Sequence, residues 1–346
     1  MKIVLDKIAS VTKNLHLPFE VEIMDEIVSE EGAVVAVETL EEKKTYNQLE
    51  LVSGRMSVIQ KGDYMAVALG NRRALKGFVG TVPAELKAGD TLNILNLGGV
   101  AGVCTSANMK VVGHSLKTKV LGAIVDPKNP GKPLNIKQGA LFSPALHVES
   151  SVPLIIISGT CMNVGKTSAA CEIIKHATRK GLTIFAAKLA GVAALKDTEN
   201  MRDYRAKQVV SFIDAGLTST VRNGALSQGV TKGAINYLSK GRPDYIVIEF
   251  GDGVYGEYGV MDILKDPEIQ KNIVAHVGCA HDPVGAVKLF EVCKEIGVPL
   301  HLISGPVTDN SVGTEFIQNT LGIPGVNALY YGDKLFSYIA RTCLKK

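Results

Sequence analysis

One stretch constrains this chain more than any other. From Val152 an uninterrupted apolar run, Val152 to Ile157, leads through Ser158 into a turn framed by glycines, then into a helix-forming segment that Gly181 closes. A continuous apolar run of this length reads as a strand buried on both faces. The segment from Ala169 to Lys180 reads as a helix with its stop signal at Gly181. Between them lie Gly159, Thr160, Cys161, Met162, Asn163, Val164, Gly165, Lys166, Thr167 and Ser168. Strand, glycine turn and helix in this order make an anion cradle: Gly165 lets the backbone approach a phosphate, and the free amides at the helix start carry positive partial charge. Lys166 is placed to reach the β- and γ-phosphates, and the Thr167 hydroxyl to coordinate Mg²⁺.

The strict P-loop pattern, G-x-x-x-x-G-K-[ST], is met except at its first position, where Thr160 stands and Gly159 comes one residue earlier. Gly-Thr-x-x-x-Val-Gly-Lys-Thr resembles the loop of dethiobiotin synthetase and its relatives in the SIMIBI class of P-loop proteins. The resemblance covers about residues 152 to 307. It implies ATP and Mg²⁺ as cofactors, an α/β fold, and a homodimer as the common assembly.

The charge balance excludes other classes. A net charge of +4 over 346 residues, not gathered into one run, leaves no electrostatic footprint for nucleic acid. No apolar run reaches the roughly 18 residues a membrane helix needs. The first residues, Met1 to Lys7, carry charge where a signal peptide needs a continuous apolar core, so no membrane partner and a cytoplasmic location are expected. The six cysteines are scattered without a C-x-x-C pair and are expected as free thiols. Cys161, inside the motif, reads equally as a small tolerated residue or as a functional one.

Residues 1 to 148 read as an all-β domain. Short segments rich in Val, Ile and Leu (33–40, 49–52, 56–59, 64–69, 91–97 and 119–125) alternate with turn signals such as Lys61-Gly62-Asp63 and Ala88-Gly89-Asp90. Strands at such close intervals predict a small barrel or sandwich. Asn71-Arg72-Arg73 is its densest basic spot and reads as a solvated turn or as a partner or ligand contact. Three prolines and a glycine between Asp126 and Pro133 mark a loop, and the boundary is expected between Pro127 and Ser151.

Residues 149 to 346 read as a P-loop α/β domain. Strands are expected at 182–187, 245–250, 273–277 and 299–304 besides the first, with helices at 205–215, 231–239 and 284–296. That alternation predicts βαβ units, a parallel sheet covered on both faces, and ligands beyond the carboxyl ends of the strands.

Four groups fall at those strand ends. Lys188 follows the second strand, and reads by itself as an exposed loop lysine or a phosphate ligand. Glu249 ends the third strand after four apolar residues, where a carboxylate must be paired or metal-bound. Asp252 is a second carboxylate in the same loop. Asp203 opens a charged cluster and reads as a helix cap or a metal ligand, with Asp197 as its substitute. The resemblance to dethiobiotin synthetase implies that Lys188 holds the substrate and the transferring phosphoryl group, and that Thr167, Asp203 and Glu249 form the Mg²⁺ site. Phe250 stands where that family has glycine, which leaves the substrate open. The SIMIBI resemblance also implies a base pocket formed by His281, Asp282 and Pro306, and the missing Asn/Thr-Lys-x-Asp sequence favours adenine.

One position separates the branches of that class. Proteins of the MinD and ParA type place a signature lysine five residues before the loop lysine, and dethiobiotin synthetase an aspartate; Cys161 supplies neither charge. The runs 210–216 and 249–259 resemble an ATP-binding family that includes a D-glutamate N-acetyltransferase. The leading expectation is a Mg·ATP-dependent enzyme that activates a small carboxylate, carbamate or amine by phosphoryl transfer, with Lys166 and Lys188 catalytic. The alternatives are a nucleotide-dependent switch or chaperone acting on a protein partner, and an N-acyltransferase.

Overall fold

In the computed structural model, which describes residues 1–344, the chain divides into two compact units. The first contains residues 1–141 together with 192–196 and 212–221; the second contains 142–191, 197–211 and 222–346. A single boundary near residue 148 therefore does not describe the chain. The main cut falls at 141/142, and two short pieces of the second half are built into the first unit.

The first unit is a barrel. Its ring is made of β1 (Val34–Thr39), β2 (Tyr64–Leu69), β3 (Thr91–Ile94), β4 (Val100–Ala107) and β5 (Leu116–Ile124). Going round, β1 pairs with β2, β2 with β4, β4 with β3, β3 with β5, and β5 again with β1. All these pairs are antiparallel except β2 with β4. Closure leaves the ring without an edge. The turn Gly98-Gly99 precedes β4, a strand not anticipated from the sequence, whose outer half (exposed Val103, Thr105 and Ser106) lacks the apolar density of a core strand. Val35, Met65, Val67, Leu92 and Val120 share one face of the ring and are shut from solvent.

The two inserted pieces complete buried polar groups of the barrel unit. The Glu50 carboxylate accepts from the Leu195 and Lys196 amides at 2.7 and 2.8 Å and from the Ser10 hydroxyl. Glu31 accepts from Thr218 Oγ1 at 2.6 Å, and Asp214 pairs with Lys13 at 2.7 Å. A carboxylate as buried as Glu50 is tolerated because its donors are in place.

The second unit is a six-stranded sheet with every pairing parallel. Its strands are β6 (Leu154–Gly159), β7 (Ile184–Ala190), β8 (Gln208–Ser211), β9 (Tyr245–Phe250), β10 (Ile273–Cys279) and β11 (Leu302–Ser304). They lie in the order β8-β7-β9-β6-β10-β11. The helices are α1 (Lys166–Arg179), α2 (Lys196–Asp203), α3 (Gly224–Ser239), α4 (Pro283–Glu295), α5 (Ser311–Leu321) and α6 (Ala328–Thr342), besides shorter turns. The helix expected over 205–215 is instead strand β8 followed by a 3₁₀ turn, Phe212–Ala215. Val209 and Val210 are β-branched, and the register Phe185 to Gln208 through Lys188 to Ser211 gives their backbone a partner at the sheet edge.

β6 lies between β9 and β10, so the loop after it opens at the centre of the sheet's carboxyl edge. Ile155 and Ile157 pack in one cluster with Ala169, Ile173 and Ile174 of α1 and Leu335, Phe336 and Ile339 of α6. That packing fixes where α1 begins, and hence where Lys166 and Thr167 stand. Among the described residues no helix is long and apolar enough to cross a membrane.

His276, inside β10, is fully buried; its Nε2 lies 2.7 Å from the Ser158 hydroxyl and its Nδ1 3.0 Å from the Val298 carbonyl. Burial pushes its pKa down to about 4 from 6.5, so it is neutral when folded. The unfolded chain takes up this proton below pH 6.5, and stability falls as the pH drops from there towards 4. Measured by denaturant titration, this window should remove up to about 3 kcal/mol. In His276→Leu the pH slope there should be shallower by about one proton.

Candidate functional site

The turn from Thr160 to Gly165 owes its shape to two residues with left-handed backbone. Gly165 has φ 88° and Asn163 φ 61°, a conformation asparagine tolerates better than most side chains. A side chain at Gly159 would strike the Cys279 carbonyl at 2.8 Å and Val164 Cγ2 at 2.9 Å, which is why the strand ends on glycine. α1 then starts at Lys166 without a side-chain cap, leaving its first amides for a ligand.

Lys166 is buried, and its ammonium donates to the Cys161 carbonyl at 2.7 Å across the turn. Burial pushes its pKa below the ordinary lysine range, against the attraction of Glu249 and Asp252. Cys161 contributes its backbone oxygen here, while its thiol faces the Met162 carbonyl at 3.3 Å.

Thr167 is where three elements meet. Its hydroxyl stands 2.8 Å from Glu249 Oε1 at the end of β9 and 3.3 Å from Asp197 Oδ1 in the first turn of α2. One hydroxyl proton cannot serve both, and the shorter separation favours Glu249. Asp197 Oδ2 is ion-paired with Lys188 Nζ. Lys188 is buried rather than exposed, in register with Glu249 across the β7–β9 ladder. A Cβ at Gly251 would lie 2.9 Å from its Cε, so the glycine after Phe250 makes room for the lysine stem.

Glu249 is 2 % exposed, and its Oε2 is buried without a hydrogen-bond partner. A carboxylate oxygen left so is costly unless something else satisfies it. A hard cation suits this place: Thr167, Asp197 and Glu249 offer one hydroxyl and two carboxylates, the oxygen set that Mg²⁺ uses with phosphate and water. Among the described residues no group of three His, Cys, Asp or Glu side chains forms a metal cluster. One hydroxyl and two carboxylates leave most of the coordination of such an ion to water and phosphate.

Asp203 is not part of it. It lines a separate surface cavity of about 360 Å³ with Lys175, Thr178, Arg179, Tyr204 and Arg205. Thr178 and Arg179 end α1 whereas Thr167 begins it, a separation of about 16 Å along the helix at 1.5 Å per residue. The same geometry explains why Asp197, the substitute, reaches Thr167: it opens α2 and Asp203 closes it.

Asp252 is buried, and burial pushes its carboxyl above the ordinary aspartate range although Lys166 attracts it. The loop carrying it presses on the turn from Thr160 to Gly165. The Val254 amide donates to the Gly159 carbonyl at 2.9 Å, and a Cβ at Gly253 would stand 2.1 Å from the Thr160 carbonyl.

A second cavity, of about 260 Å³, opens beside the turn between Asn163, Gly165 and Ser168 on one side and Ser304, Pro306, Asp309, Asn327 and Tyr330 on the other. Pro306 lines it; His281 and Asp282 do not. Asp282 instead caps α4, accepting from the Gly285 amide at 2.9 Å, and His281 is exposed beside it. Asp309 and Asn327, joined by a 2.8 Å hydrogen bond, were not singled out from the sequence. Their signal was local: Asn327 caps α6 and Asp309 ends the short turn after β11, so both sit where chain direction changes at the sheet's carboxyl edge.

No protein-family profile and no curated protein match this chain. Solved structures similar to it include chloroplast FtsY from Physcomitrella patens, at 14% identity over 58% of this chain and 70% of that one, TM-score 0.37. FtsY from Thermotoga maritima is similar at 16% identity over 61% of this chain and 75% of that one, TM-score 0.38. A DUF1611 family protein from Anabaena variabilis is similar at 14% identity over 62% of this chain, which spans 65% of that one, TM-score 0.39.

Because Gly253 has no room for a side chain, Gly253→Ala should push the Asp252 loop off the phosphate turn. Any anion affinity of the turn, read by calorimetry with inorganic pyrophosphate, should fall at least about ten-fold while the melting temperature drops by only a few degrees.

Proposed function

We propose that the second unit binds a nucleoside triphosphate with Mg²⁺ and transfers or hydrolyses its terminal phosphoryl group, as a SIMIBI-class P-loop enzyme acting on a small carboxylate, carbamate or amine. The observation that carries this reading is the unsatisfied Glu249 Oε2 beside the Thr167 hydroxyl, next in the chain to a lysine whose ammonium, among the described residues, hydrogen-bonds to its own loop alone. An ammonium tied to the Cys161 carbonyl has merely to exchange that partner for a phosphate oxygen. Burial, which lowers its pKa without a ligand, then strengthens the charge-assisted bond once the phosphate is in place.

Each residue has a role under this reading. The amides from Asn163 to Thr167, with Gly159 and Thr160 at the loop entry, cradle the phosphates, and Lys166 neutralises charge that builds on them. Thr167, Asp197 and Glu249 would hold Mg²⁺, which would supply charge neutralisation to the phosphates. Lys188, paired with Asp197, would hold the transferring group or the acceptor. Asp252, whose carboxyl is pushed upward by burial, would take a proton from the attacking group. The cavity holding Pro306, Asp309 and Asn327 is the proposed place for the base, with ATP as the expected nucleotide.

The test is binding of ATP and GTP by calorimetry, each with and without Mg²⁺, followed by phosphate release in the presence of candidate acceptors. Lys166→Ala should lower nucleotide affinity by at least about ten-fold, equivalent to ~1.4 kcal/mol. Asp197→Asn and Glu249→Gln should abolish the Mg²⁺ dependence while sparing metal-free binding, and Asp203→Asn should change neither. Unaltered nucleotide affinity in Lys166→Ala would remove the phosphate-turn reading. Release that no small acceptor stimulates, but a protein partner does, would make the chain a switch.

A further inference from the structure

The barrel unit holds two buried cations that none of this uses. Arg72, read from the sequence as part of a solvated turn or of a partner or ligand contact, is 7 % exposed, and Lys43 is 9 % exposed. Both stand over the ring of Phe78, the Lys43 ammonium 5.2 Å and the Arg72 guanidinium carbon 5.9 Å from its centre, with Tyr46 edge-on to that ring. Neither has a carboxylate within ion-pair distance among the described residues; Glu41 attracts Lys43 only from further off. Two like charges buried together without a counter-ion are expensive.

The hydrogen bonds of Arg72 are one-sided. Nη1 donates to the Tyr46 hydroxyl at 2.9 Å and to the Leu95 carbonyl. Nε is shut from solvent with no partner, and Nη2 makes no hydrogen bond with any described residue. The edge formed by Nε and Nη2 is the one that presents two parallel N–H groups, the match for a carboxylate or phosphate taken side-on. Gly77 packs close to this edge, and a Cβ there would stand 2.6 Å from Nη2. Lys43 spends its ammonium on the carbonyls of Val112 (3.2 Å) and His114, which leaves one of its three N–H groups over. Burial pushes its pKa below the ordinary lysine range, the response of a cation lacking a counter-charge.

We propose that the barrel unit carries an oxyanion site, distinct from the phosphate turn, in which the Nε/Nη2 edge of Arg72 takes a carboxylate or phosphate group side-on, the Lys43 ammonium balances its charge, and Phe78 and Tyr46 wall it. The lack of an ion-pair partner for either cation and the orphaned Nε are two independent signs that point to an anionic group. The recognised chemistry is one flat pair of oxygens carrying negative charge, whether on a carboxylic acid or on a phosphate ester.

The test uses the full-length, ¹⁵N-labelled protein and follows the Arg72 Nε–H resonance while acetate, then inorganic phosphate, is added. A saturable downfield shift with one or both anions is expected, the stronger of the two naming the class of ligand. Arg72→Lys, which keeps the charge but lacks the fork, and Gly77→Ala, which blocks it, should each weaken binding by about ten-fold or more, measured by calorimetry. Lys166→Ala should leave it within about two-fold, which separates this site from the nucleotide site. Both barrel variants are to be checked for an unchanged far-ultraviolet spectrum, and Arg73→Lys serves as a neighbour whose charge lies off the fork. Failure of both anions to move the Nε–H signal, or equal binding by Arg72→Lys, would overturn the proposal.

Discussion

The whole of the second unit turns on one hydroxyl. Thr167 can face Glu249 and Asp197 only because α1 starts immediately after a turn that two left-handed residues fold back on itself, and because β9 and α2 both end or begin at that height. The aliphatic cluster under α1 holds the helix axis, so the hydroxyl has little freedom to move. Around it two lysines and three acids are gathered: Lys166, Lys188, Glu249 and Asp252, all buried, and the half-buried Asp197. Their charges nearly cancel, which is what lets the group stay buried. Glu249 Oε2 is the part that does not cancel locally, and it marks the point where an added positive charge is accommodated best.

The parts of this legible in the sequence are those governed by neighbours in the chain. The apolar run before Gly159, the Gly165-Lys166-Thr167 sequence and the acid after Tyr245-Ile246-Val247-Ile248 are each a local pattern with a local cause, and each stands where the pattern says. The parts that were not legible depend on distance in space. Asp197 and Asp203 lie six positions apart on one short helix, and which of them reaches Thr167 depends on the direction in which that helix runs. Nothing in their immediate sequence carries that direction. The same holds for Val209 and Val210, read as part of a helix from their spacing and made a strand by the ladder waiting at Ile184–Ala190. Tertiary pairing overrode a short periodic signal.

Arg72 shows the converse. Three polar residues in a row, Asn71 to Arg73, look like a solvated turn, and that reading held open a ligand contact as well. The residue's burial comes from Tyr46 and Phe78, 26 and 6 positions away, neither of which announces itself as a cation's neighbour. A buried guanidinium is visible only once the barrel has brought those rings together, and its idle edge only once every nearby acceptor is counted.

The inserted pieces, 192–196 and 212–221, have a consequence for descent and for handling alike. The chain passes between the units five times, at 141/142, 191/192, 196/197, 211/212 and 221/222. Residues 1–141 alone would leave the Glu50 carboxylate without the Leu195 and Lys196 amides and Glu31 without Thr218. The barrel is therefore no cassette that recombination could lift from one gene and set before another. An insertion or deletion in the loops after β7 or β8 would fall in chain that serves both folds at once.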